Sequence, residues 1–192
     1  MNAVSKLAFR RAVILALLLL AITFSAGCSR KPSPASSTPV TDRSDVLMGR
    51  VVRIADGDTI TLLDSINTQH RIRLQGIDAP ESHQDFGAQS KKSLSDMIFN
   101  KNVTASCDKI DQYGRQVCKI IFDGRDINLE QVKAGMAWHY KDYEREQSPA
   151  DRELYARAED EARSARRGLW IDANPIQPSE FRREEKRERE AR

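Results

Sequence analysis

Five short β-strand patterns, interrupted once by a helical pattern, constrain the fold of this chain more than any other feature. The first three strand patterns run from Val46 to Ile54, Thr59 to Leu63 and Arg71 to Leu74, with polar turns between them. The first segment is apolar and β-branched, and in the other two apolar residues alternate with polar or charged ones, which is typical of strands with one buried face. An ordered domain with three consecutive strands is therefore expected to begin near Val46.

A helical pattern over residues 86–99 follows these strands, and two more strand patterns lie at residues 103–107 and 116–122. Two further helices are expected at residues 128–134 and 148–167, and each is followed by a glycine, a common helix stop signal. The order βββ-α-ββ-α-α predicts an α+β, β-rich fold. The expected architecture is a five-stranded Greek-key barrel of the OB-fold type with about three helices.

The first 27 residues have the pattern of an export signal. Three Lys or Arg residues precede an apolar stretch from Ala12 to Phe24, which is too short for a comfortable membrane span. Small residues and then Cys28 follow, an order similar to a bacterial lipobox, although Ser25 stands where Leu is usual. We expect lipidation of Cys28 and a protein anchored at the cell envelope. Ordinary cleavage to a secreted protein and retention of the apolar stretch as an anchor are the alternatives.

The remaining chain divides by composition. Residues 28–45 are rich in Pro and Ser and predict a flexible tether. Residues 46–174 are expected to form the folded domain, and we expect a monomer. Residues 175–192 are mostly charged and, in the absence of an apolar face, predict a solvated tail that is partly helical or disordered.

Charge composition argues against general attraction of polyanions. The full chain carries a formal charge of +3, but the loss of residues 1–27 would leave 28 Lys and Arg against 28 Asp and Glu. A nearly neutral protein lacks the field that steers nucleic acid to a strongly basic surface. Binding of a polyanion must therefore come from a local cluster.

Two segments supply such a cluster, Asp56-Gly57-Asp58-Thr59 and the stretch from Arg73 to Glu81. They place carboxylates and a guanidinium at strand ends or turns. Carboxylate oxygens are ligands of hard divalent cations, and arginine offers a fork of donors to phosphate oxygens. Cation, arginine and carboxylate together are what phosphodiester cleavage requires. Because no His or Cys cluster has zinc spacing, Ca²⁺ is expected rather than zinc.

From about Val46 to Asp172, the chain resembles the staphylococcal nuclease-like (thermonuclease) family. The matching segments, in the family's order, are residues 56–59, 73–81, 111–115 (Asp-Gln-Tyr-Gly-Arg), Asn128-Leu129 with Gly135, and 167–170 (Arg-Gly-Leu-Trp). The resemblance implies an OB-fold barrel, one Ca²⁺, and hydrolysis of phosphodiesters in DNA and RNA with 3′-phosphates left behind.

The resemblance also implies roles for particular residues. The family's calcium carboxylates fall on Asp58 and Asp78, and its main-chain calcium ligand falls on Ala79, where Thr is frequent in the family. Its catalytic residues fall on Arg73, Glu81 and Arg115. Glu81 would orient or deprotonate the attacking water, and the sequence leaves that choice open.

Several residues near this set have more than one interpretation. Tyr113 matches a tyrosine that lies near the nucleotide phosphate in the family. Tyr140 either stacks on a base or, with Trp138 and His139, packs at an edge between helix and barrel. Asp56 either forms only the turn or also supports the site.

Cys107 and Cys118 flank the loop that holds Arg115, and export would make a disulfide between them possible, so both oxidation states stay open.

Two other functions also compete with the nuclease hypothesis. A binding module would hold single strands without cutting them, but such a module would not require Glu81. A lipid-anchored scaffold is favoured only by the nearly neutral charge.

Overall fold

The structure, a computed structural model, describes residues 45–192, so the export signal, most of the tether and Cys28 lie outside the described residues. The strands are β1 (Asp45–Ile54), β2 (Thr59–Asp64), β3 (Gln69–Leu74), β4 (Ile77–Asp78), β5 (Asn102–Ile110), β6 (Gln116–Phe122), β7 (Arg125–Asp126) and β8 (Trp138–His139). The α-helices are α1 (Gly87–Ile98), α2 (Ile127–Lys133), α3 (Pro149–Ser164) and α4 (Pro178–Glu190). Two 3₁₀ helices lie at Lys141–Glu146 and Gly168–Ile171.

Five of these strands close into a barrel. β1 pairs antiparallel with both β2 and β5, β2 pairs with β3, and β5 pairs with β6. A parallel pairing of β3 with β6 closes the ring, while β7 extends the edge of β6 and β4 pairs separately with β8. The predicted α+β fold with a five-stranded OB-type barrel is confirmed.

Strand β3 shows how the alternation of side chains builds both the core and the site. Ile72 and Leu74 are fully buried inside the barrel. Arg71 and Arg73 occupy the intervening positions and point away from that core, because successive side chains of a strand face opposite sides. The pattern that predicts the strand therefore also decides that Arg73 faces outward.

A buried amide on α2 ties the end of β3 to β6. The Asn128 Nδ2 donates to the carbonyls of Gln75 at 3.0 Å and Cys118 at 3.1 Å. Its Oδ1 accepts a bond from the backbone N–H of Ile120 at 3.1 Å. All three bonds are buried, so this side chain replaces hydrogen bonds that the barrel strands do not provide for one another.

The C-terminal segment is helical and mostly exposed, but it also contacts the domain, which the expected solvated tail would not do. Residues 178–190 form α4, and the ring of Phe181 lies 5.2 Å from that of His83, in the loop after β4. The sequence did not predict this contact, because Phe181 stands in a segment of mostly charged residues that has no apolar face. None of the helices within residues 45–192 is long and apolar enough to cross a membrane.

Candidate active site

The Asp-Gly-Asp turn between β1 and β2 is held rigidly. The Asp56 Oδ1 accepts a bond from the Asp58 N–H at 3.1 Å, so Asp56 does form the turn as one interpretation predicted. Gly57 lies so close to Ala79 and to α1 that a Cβ atom would clash there, and Gln131 donates to its carbonyl at 2.8 Å. The Asp58 Oδ2 in turn accepts the Ala79 N–H at 2.8 Å. These contacts fix the position of the Asp58 carboxylate.

The Arg73 guanidinium links Asp58 and Asp78, the two carboxylates that the family resemblance assigns to a calcium ion. Asp58 and Asp78 are only 4% and 2% exposed. Arg73 pairs with Asp58 through Nη1 and with the Asp78 Oδ1 through Nη2 at 2.8 Å, and it also donates to the Ile77 carbonyl at 3.1 Å. Burial raises the pKa of the neighbouring Asp56 carboxyl above its usual value, and Arg73 opposes that rise. The site thus concentrates buried negative charge around Arg73.

Arg115 is oriented by a carboxylate four residues before it. Its Nε donates to the Asp111 Oδ2 at 2.7 Å, and the Asp111 Oδ1 accepts the backbone N–H groups of Arg115 and Tyr113, both at 2.9 Å. Partial burial alone would raise the pKa of Asp111, but these donors lower it below the usual value. The Arg115 Nη1 lies 3.4 Å from the Thr59 Oγ1, which itself bonds to Asp58 at 3.0 Å. Arg115 therefore reaches the same site as Arg73.

Glu81 meets an arginine that sequence reasoning did not assign to the site. The Arg182 Nη1 lies 2.7 Å from the Glu81 Oε1, and both terminal nitrogens of Arg182 also bond to Asp78. Burial alone would lower the pKa of Arg182, but its bonds to these two carboxylates raise it. The last helix therefore supplies a side chain to the carboxylates at the centre of the site.

These residues surround an open cleft of about 830 Å³. The site residues that line it are Asp58, Arg73, Ala79, Glu81, Tyr113, Arg115, Tyr140 and Arg182. Asp78 lies behind them, in contact with Arg73 and Arg182. This volume falls in the range of ligand-binding clefts, and the cleft wall carries both signs of charge.

The chemistry of the donor set fits a hard cation. Asp58 and Asp78 offer only oxygen donors, and their burial raises the cost of leaving them without a positive partner. Within residues 45–192, no group of three or more His, Cys, Asp or Glu side chains is arranged to hold a metal ion. Two carboxylates alone would hold Ca²⁺ weakly, with water and substrate oxygens as the remaining ligands.

Three aromatic residues lie on β8 or directly after it, and they have two different roles. The Trp138 ring packs 4.3 Å from that of Trp170, and the buried His139 Nε2 lies 2.8 Å from the Gln147 Oε1. Both residues therefore serve packing between the barrel and the helices. Tyr140 instead lines the cleft, with its ring centre 6.0 Å from the Arg73 guanidinium carbon.

Cys107 and Cys118 lie opposite each other on β5 and β6 and are joined by a disulfide in this structure. The loop that bears Tyr113 and Arg115 lies between them in sequence. Tyr113 is 67% exposed, and its ring centre lies 5.4 Å from the Arg115 guanidinium carbon. The disulfide thus anchors the base of the loop that presents both side chains.

Two site residues were missed by sequence reasoning for different reasons. Asp111 lies within a segment that the family resemblance includes, and its spacing of four from Arg115 was a usable signal. Arg182 gave no signal, because it is one of many cations in a charged segment and contacts Asp78 across 104 positions of sequence.

Comparisons with known proteins show which family this chain resembles. A family model described as Staphylococcal nuclease homologue matches residues 71–172. A protein named as an uncharacterized endonuclease from Haemophilus influenzae is 40% identical over 176 residues, which cover 92% of this chain and 88% of that protein. A Micrococcal nuclease from Shigella flexneri is 40% identical over 148 residues, covering 72% of this chain and 82% of that protein. Another uncharacterized endonuclease, from Escherichia coli, is 40% identical over 131 residues, covering 68% and 81% of the two chains.

Proposed function

This chain belongs to the staphylococcal nuclease homologue family and is a nuclease, and we propose that it is calcium-dependent and hydrolyses DNA, RNA or both outside the cytoplasm. One observation carries the proposal. The buried carboxylates of Asp58 and Asp78 are linked by Arg73 beside a cleft that also holds Arg115 and Glu81. A site for binding alone would not require so much buried charge.

Asp58, Asp78 and the main chain of Ala79 are the proposed calcium ligands. When bound, the ion would supply positive charge that offsets the charge gathering on the phosphoryl oxygens. The Asp58 carboxylate is already fixed by the Ala79 N–H, whereas Asp78 would exchange a guanidinium donor for the ion.

Arg73 and Arg115 are the proposed donors to the phosphate. A guanidinium is a planar fork that matches two phosphate oxygens, which a lysine cannot reproduce. The Arg73 fork is engaged by Asp58 and Asp78 in this structure and would turn to the phosphate when the ion holds those carboxylates. Asp111 holds the Arg115 Nε at 2.7 Å and leaves the terminal nitrogens of the fork directed into the cleft. Both arginines would then stabilise the five-coordinate phosphorus more than they stabilise the substrate.

Glu81 is the proposed general base. Its side chain is 29% exposed and lines the cleft, so it has access to water, unlike the buried aspartates. It would orient a water molecule for attack on phosphorus and accept the proton from that water. The leaving oxygen is the 5′ oxygen in this proposal, which leaves a 3′-phosphate. Tyr113 and Tyr140 would contact the nucleotide beside the scissile bond.

A cleavage assay on the purified protein tests this function. Activity on mixed DNA and RNA should require added Ca²⁺ and disappear in excess EGTA. Replacement of Arg115 by Lys, or of Glu81 by Gln, should lower kcat by about 10²–10³-fold, the cost of losing one preorganised group. The control Arg53→Lys, on an exposed position of β1, should retain full activity. Undiminished cleavage in EGTA would refute the calcium assignment, and full activity of Arg115→Lys would refute the guanidinium fork.

Location outside the cytoplasm is a separate part of the proposal. It is supported by the export pattern of residues 1–27 and by Cys28 after small residues. Lipidation at Cys28 would anchor the protein at the envelope, facing the periplasm or the exterior. The Cys28→Ser variant should move from the membrane fraction to the soluble exported fraction. Equal membrane retention of this variant would contradict lipid anchoring at that residue.

A further inference from the structure

The last helix places a cation on Asp78, one of the proposed calcium ligands. The Arg182 Nη2 lies 3.1 Å from the Asp78 Oδ2, and the Arg182 Nη1 lies 3.2 Å from the Asp78 Oδ1. The same Nη1 lies 2.7 Å from the Glu81 Oε1. One side chain from α4 therefore engages a proposed calcium ligand and the proposed general base together.

Arg182 and Arg73 together use most of the acceptor capacity of Asp78. A carboxylate offers about four lone-pair positions to donors. The Asp78 Oδ1 accepts from both Arg73 and Arg182, and its Oδ2 accepts from Arg182. A calcium ion that bound both oxygens of Asp78 would have to displace at least one of these donors, and an ion at the one remaining Oδ2 position would lie beside the positive charge of Arg182. Because Arg73 comes from the barrel and Arg182 from a terminal helix, Arg182 is the donor more easily displaced.

Three contacts besides those of Arg182 hold α4 and the residues just before it against the loop after β4. The Phe181 ring lies 5.2 Å from the His83 ring, and the His83 Nε2 lies 2.7 Å from the Glu185 Oε1. The Gln84 Nε2 donates to the Ile176 carbonyl at 2.8 Å. All of them are made to the loop that follows Glu81. The docked position of α4 is thus built from several interactions, although each is partly exposed and individually weak.

We propose that α4 is a self-inhibitory strap in which Arg182 competes with the calcium ion for Asp78 and occupies Glu81. This inference rests on the proposed calcium-dependent function. With the strap docked, both oxygens of Asp78 accept from Arg182, and the Glu81 Oε1 accepts from the same guanidinium. Calcium binding and the docked position of Arg182 exclude each other, and the free protein therefore binds calcium less tightly than its two carboxylates alone would.

Calcium titration by calorimetry, without nucleic acid, tests the competition independently of activity. The Arg182→Ala variant should bind Ca²⁺ about tenfold more tightly than the wild type, because a charge-assisted competitor has been removed. The matched control is Arg183→Ala, which removes the same charge from an exposed position of the same helix turn. It should bind as the wild type does. Equal or weaker affinity in Arg182→Ala, or equal tightening in Arg183→Ala, would overturn the proposal.

Two further measurements test whether tighter calcium binding by Arg182→Ala comes only from its altered charge or folding. The Phe181→Ala variant keeps every charge and removes an aromatic contact of the strap, so it should also bind Ca²⁺ more tightly. Hydrogen exchange across residues 178–190 of the wild type should become faster when Ca²⁺ is added. Unchanged affinity in Phe181→Ala or unchanged exchange would contradict mutual exclusion.

The calcium and strap hypotheses fail in distinguishable ways. If all variants bind Ca²⁺ with one common affinity, the strap is wrong and the calcium-dependent nuclease stands. If neither the wild type nor Arg182→Ala binds Ca²⁺, the calcium assignment fails and the strap fails with it.

Discussion

Asn128 offers the sharpest stability prediction, because its replacement by Ala removes three buried hydrogen bonds at once. The Cys118 carbonyl keeps a second donor, the Gln75 N–H at 2.9 Å. The Gln75 carbonyl and the Ile120 N–H lose the partner that Asn128 gave them. An unsatisfied buried backbone group costs about 1–3 kcal/mol, so the two together cost about 2–6 kcal/mol.

We therefore expect Asn128→Ala to lower the free energy of unfolding by about 3–4 kcal/mol, within the range set by those two groups. Urea unfolding followed by tryptophan fluorescence measures this change, since Trp138 and Trp170 are both buried. The control Asn174→Ala removes an exposed amide and should change stability by less than about 0.5 kcal/mol. A loss below about 1 kcal/mol in Asn128→Ala would show that the amide does not stabilise the junction between the end of β3 and β6.

Three other predictions concern the loop near Arg115, the disulfide and the acid range. Asp111→Asn should lower kcat about tenfold in a nucleic-acid cleavage assay, because Arg115 loses its charged partner at 2.7 Å; an unchanged kcat would contradict this orienting role. Replacing Cys107 and Cys118 by Ser should lower the free energy of unfolding by about 2–4 kcal/mol, and intact-mass measurement should show a two-dalton gain on reduction of the wild type. Two thiols that alkylate without reductant would refute the disulfide. Burial raises the pKa of Asp126 above 3.8, so the native state holds this proton to higher pH than the unfolded chain does. As pH rises above 3.8, the wild type should therefore lose free energy of unfolding relative to Asp126→Asn. The urea midpoint of the wild type should fall relative to that of the variant over the same pH range.

The barrel was predictable because its strands carry their own local signals. In β3 the apolar residues Ile72 and Leu74 alternate with arginines, and this period alone defines both the strand and its buried face. The Asp-Gly-Asp turn has an equally local cause, since Asp56 caps the Asp58 N–H two residues away. Family resemblance then allowed roles to be proposed for residues that these local patterns place at turns and strand ends.

The parts that were missed depend on contacts between distant segments. β4 and β8 have two residues each, which is too short for a periodic pattern. α4 has one partly buried aromatic residue, Phe181, and its position depends on His83 in a loop far away in sequence. No property of residues 175–192 by themselves indicates that Arg182 lies against Asp78. Tertiary placement of a charged segment is decided by partners that local composition does not reveal.

Calcium titration of carboxylate variants shows whether Asp58 and Asp78 hold one ion that the nuclease needs for cleavage. The wild type should bind one Ca²⁺ per chain in calorimetry, and Asp58→Asn and Asp78→Asn should each lose that binding together with cleavage, while far-ultraviolet circular dichroism shows the barrel intact. Undiminished calcium binding or cleavage in folded Asp58→Asn and Asp78→Asn proteins would contradict the account.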